Sequence, residues 1–75
     1  MSLKKAMYDT ALAEFESKRD KALATARIYM ENPVGIGEHP QVIDEFIKQV
    51  KLASEAEEAA TMLVETFRDE IIQED

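Results

Sequence analysis

The chain has 75 residues, no cysteine, 33% charged residues and a formal net charge of −7. That length allows one small domain, and the missing cysteine removes disulfide staples, thiolate metal ligands and thiol nucleophiles. An acidic chain lacks the basic surface that displaces counterions from DNA or RNA and is repelled by anionic membranes. No run approaches the ~20 apolar residues of a membrane span, so neither nucleic acid nor membrane is an expected partner.

The opening Met1-Ser2-Leu3-Lys4-Lys5-Ala6 lacks the apolar core of a secretion signal. A cytoplasmic protein is expected, and Met1-Ser2-Leu3 reads as a leader of no functional weight. From about residue 3 to about residue 31, neither proline nor glycine interrupts a helix-favouring composition. Tyr8, Leu12, Phe15, Arg19, Ala22, Ala26 and Tyr29 recur at steps of three and four, one side of a first long helix, with Leu23 and Met30 widening the stripe. Glu14 and Lys18 form a favourable i, i+4 pair on its surface.

Both prolines and both glycines of the chain fall within residues 32–40. Pro33 disfavours helix at Asn32, Gly35 and Gly37 suit the positive φ of a reversal, and Pro40 fits the first position of a new helix. Val34 and Ile36 are expected to plug the open end between the helices. His39, the only histidine, reads as a cap beside that helix start. Gly35-Ile36-Gly37 before a helix is a poor phosphate cradle, having no preceding strand, no third glycine and no lysine, while Glu38 adds negative charge there.

The second helix is expected over about residues 41–73. Ile43, Phe46, Val50, Ala53, Glu57, Ala60, Val64, Phe67 and Ile71 alternate at three and four, a heptad seam broadened by Ile47, Ala56, Leu63 and Ile72. This half holds the whole charge excess. Acids in the last turn oppose the helix dipole, so that turn is expected to fray unless a partner holds Ile71 and Ile72.

Two long helices and a short turn predict an all-α antiparallel hairpin spanning residues 1–75 as one domain. A reversal at Gly35 and Ile36 sets Tyr8 near Val64, Phe15 near Glu57 and Arg19 near Ala53. Arg19 and Glu57, the two polar breaks in the seams, then lie about one turn apart. They are expected either to form a partly buried ion pair or to reach solvent separately. The apolar face is wider than one partner helix covers, which predicts oligomerisation into a helical bundle. A dimeric four-helix bundle is the first expectation, and a higher oligomer or a complex with another protein the second. Leu12, Phe15, Phe46, Val50, Phe67 and Ile71 are the expected interface anchors.

No nucleophile, base pair, metal spacing or cofactor motif emerges, so neither an enzyme nor a cofactor is expected. A competing arrangement places Tyr8, Lys18, Arg19 and Lys21, with other cations of the first helix, around an anionic ligand at a protomer junction.

The run Asn32-Pro33-Val34-Gly35-Ile36-Gly37-Glu38-His39 resembles a segment between two helices in small helical proteins of tailed bacteriophages. The resemblance covers about ten residues and is only compositional elsewhere. It implies a viral accessory protein, which would act in the host cytoplasm, and carries over no functional residue. The expected function is therefore non-enzymatic self-association and protein–protein interaction. The alternative is an oligomeric sponge for cyclic nucleotide signals of host defence.

Overall fold

In the computed structural model, residues 2–31 and 40–72 are described, Pro40 by its backbone alone. The expectations for Asn32, Pro33, Val34, Gly35, Ile36, Gly37 and His39 lie outside the described residues. Within them the chain forms two helices, α1 (Leu3–Glu31) and α2 (Pro40–Ile72).

The start of α1 is fixed by Ser2. Its Oγ accepts a hydrogen bond from the Lys5 backbone N–H at 3.0 Å, and its carbonyl accepts one from the Ala6 N–H at 3.1 Å. The first turn of a helix leaves amide donors without intrahelical acceptors, and the serine satisfies one of them. Along the surface, Lys5–Asp9 at 2.8 Å and Lys18–Glu14 at 3.3 Å are i, i+4 pairs. Thr25 turns its hydroxyl back onto the Lys21 carbonyl at 2.9 Å.

At 1.5 Å per residue, 29 and 33 residues make rods of about 44 and 50 Å. They lie side by side and antiparallel in a body measuring 57 × 18 × 14 Å. Their contact is built on small side chains: the buried hydrophobic residues are Ala22, Ala26, Ala53, Ala56 and Ala60. No large side chain among the described residues is fully buried. Alanines on facing helices allow close backbone approach, but each contributes little apolar area.

The register is close to the one a tight reversal at Gly35 and Ile36 predicts. Arg19 donates from Nη1 to Oε1 of Glu57 at 2.8 Å, the two long side chains closing the offset of about one turn expected between them. At either end of the hairpin, Tyr8 shares a groove with Leu63, Phe67 and Ile71, and Tyr29 one with Val42 and Phe46. Phe15 lines a groove with Ala56 and Ala59, on either side of the expected Glu57.

The inward stripe of α2 differs in part from the expected seam. Val42, Phe46, Gln49, Ala53, Ala56, Ala60 and Leu63 are buried or half-buried, whereas of the expected seam Val64 and Ile71 are half-buried but Ile43, Val50, Glu57 and Phe67 are exposed. Both stripes obey the same three–four spacing and share Phe46, Ala53 and Ala60. Close approach selects the row containing Ala56 and leaves the bulkier row containing Ile43 and Val50 outside.

Candidate functional site: two faces of a helical hairpin

Because the hairpin is a two-rod slab, its candidate surfaces are the two faces along the seam. On one side, α1 presents Lys18, Lys21 and Thr25 and α2 presents Gln49, Leu52, Glu55 and Ala59 around an open groove of about 540 Å³. Towards the chain termini this lysine face continues into a more apolar groove of about 350 Å³, lined by Met7, Tyr8, Leu63, Phe67 and Ile71 with Lys4 and Glu70.

The opposite side is centred on the ion pair. Leu12, Glu16 and Arg19 of α1 face Glu57, Thr61 and Val64 of α2 across a groove of about 300 Å³. Four residues on from Arg19 comes Leu23, and seven further Met30, which helical spacing places on the same side. Ile43, Ile47 and Val50 continue the α2 side. This turn-proximal half is apolar and open: exposure is 67% for Met30, 51% for Ile43, 50% for Ile47 and 44% for Val50.

Arg19 makes two ion pairs. Its Nη1 bonds to Glu57, and its Nε bonds to Asp20 at 2.9 Å. The hydrogen bonds to Glu57 and then to Asp20 push the guanidinium's pKa still higher, so it stays charged. The expected ion pair forms, with Arg19 half-buried and Glu57 more open. Asp20 as its second partner lies off the apolar stripe and carries no signal in the sequence pattern.

The six expected anchors separate. Leu12, Phe15, Phe46 and Ile71 are half-buried, while Val50 and Phe67 are exposed, on opposite faces. Leu12 lines the ion-pair groove, and helical spacing places Val50, seven residues before Glu57, on the same side; Phe15 and Phe67 line grooves of the lysine face. The four residues of the ligand-binding alternative separate as well. Lys18 and Lys21 border the central groove, Tyr8 borders the terminal one, and Arg19 points to the other face in its ion pair.

Among the described residues no group of three or more His, Cys, Asp and Glu is placed to hold a metal ion. No described helix is long and apolar enough to cross a membrane. No protein-family model matches the chain, and no curated protein or solved structure matches it.

Proposed function

We propose that this chain is a non-enzymatic accessory protein, of the type found in tailed phages, that acts through helix-mediated self-association and contact with other proteins. One observation carries the reading. The chain exposes 5956 Å², whereas a compact monomer of its 8.5 kDa mass exposes about 4,650 Å². The excess of about 1,300 Å² exceeds the ~800 Å² that each partner buries in a standard protein interface. Its radius of gyration, 16.9 Å, is correspondingly above the ~11 Å of a compact domain of this length. A further layer of helices would bring both quantities towards globular values. The phage element rests on the resemblance of the turn alone.

Native mass spectrometry of the purified chain at micromolar concentration tests the reading. A ligand-free dimer is expected. A monomer would overturn self-association, and a larger ring retaining nucleotide mass would replace it with the sponge.

A further inference from the structure

We propose that the ion-pair face is the self-association surface, and that two copies pack through it with their turns at the same end, about a two-fold axis parallel to the helices. The proposal rests on the self-association reading and adds the face and the symmetry.

Three observations select this face. First, α2 keeps its bulkier apolar row there: Ile43, Ile47 and Val50 stand exposed because the alanine row occupies the inner seam. Second, the charge at its centre is already matched. Arg19 is bonded to Glu57, and Glu16 and Glu65, which line the same groove, lie towards the chain termini, away from Ile43, Ile47 and Val50. Third, the lysine face carries charge along both of its grooves, Lys18, Lys21 and Glu55 in one and Lys4 and Glu70 in the other, whereas Met30 and Ile43 line a groove with no charged residue, so covering the lysine face desolvates more charge.

The symmetry follows from where the groups lie along the rods. Arg19 and Glu57 are close to the midpoints of α1 and α2. An axis parallel to the helices lays α2 over α1 of the second copy at the same level. Ile43, Ile47 and Val50 then meet Leu23 and Met30 of the second copy, and Arg19 meets its Glu57 in an alternating square of charges. An axis perpendicular to the helices would set Arg19 against Arg19. It would also lay the apolar half over the half bearing Glu16 and Arg68. A closed interface of this kind presents the same patch twice, so this patch does not propagate a fibre.

The test combines sedimentation with a distance measurement. Val50→Glu and Ile47→Glu are expected to weaken the dimer by at least about 30-fold, the loss typical of an interface hot spot. Ile28→Glu, on the exposed outer side of α1, is expected to leave it unchanged. Circular dichroism checks that each variant keeps its helicity. With no native cysteine, Gln41→Cys accepts a single spin label per chain. Turns at the same end put the two labels within about 30 Å, and turns at opposite ends put them about 45 Å or more apart, from the rise per residue. A dimer that survives both glutamates, or shows the long distance, overturns the proposed face or symmetry and leaves self-association standing. A wild-type monomer overturns both.

Discussion

Arg19 shows how a polar break in an apolar stripe is used. Its bonds to Glu57 and Asp20 are made by groups that remain partly in water, so screening limits what they add to stability. The pair's main consequence is positional: it fixes which turn of α2 faces which turn of α1. Glu57→Ala leaves the half-buried guanidinium with one partner fewer, so it is expected to lower the melting temperature more than Arg19→Met combined with Glu57→Leu. Thermal unfolding of the three proteins decides this. Equal losses in the single and double variants would show that the pair does not act as a unit. The pH dependence follows from the sign of the shift. A guanidinium whose pKa rises on folding contributes stability that is fully present below its unfolded pKa and lost only above it. That window lies above the range of ordinary buffers. Unfolding midpoints of wild type and Arg19→Met between pH 7 and 9 are therefore expected to run parallel.

Ser2 belongs to the same scale. Its hydroxyl is the acceptor for the Lys5 amide, so Ser2→Ala is expected to cost about 1 kcal/mol of helix stability, while Ser2→Asp retains the cap. Urea unfolding measures the difference, and a neutral alanine substitution would show that this end frays regardless.

At the scale of the elements, the contact between α1 and α2 is narrow because alanine makes it so. Ala22 and Ala53 are 4% and 5% exposed, leaving almost no space for an added side chain. Ala53→Leu is expected to force the rods apart and destabilise the hairpin by about 1–3 kcal/mol, the usual range for overpacking. Leu52→Ala, one residue along on an exposed position, is expected to stay within about 0.5 kcal/mol. Denaturant titration at low protein concentration separates the two. If Ala53→Leu proved neutral, the alanine seam would not set the interhelical distance.

For the whole molecule, the alanines buried among the described residues are a small source of burial for rods of 29 and 33 residues. A hairpin of this build gains most from a partner that covers its remaining apolar row. If that partner is a second copy, stability is coupled to concentration by mass action. The melting temperature is expected to rise by several degrees between 1 and 100 μM chain, and scanning calorimetry at several concentrations checks it. A midpoint independent of concentration would identify a monomeric unfolding reaction.

The sequence by itself determined the two helices and much of the ion pair. Proline and glycine confined to residues 32–40 separate two uninterrupted helical patterns, and local backbone chemistry suffices to place such a break. The Arg19 and Glu57 interruptions were also legible, because a charge in an apolar stripe is a local signal. Tertiary structure alone decided the inner row of α2. Ile43–Val50 and Val42–Gln49 sit on stripes of equal spacing, and hydrophobicity favours the first. Interhelical distance decides for the second, since Ala56 lets two backbones approach where valine and isoleucine would hold them apart. Periodicity records which residues share a side of a helix, but steric fit between two helices is a property of the pair.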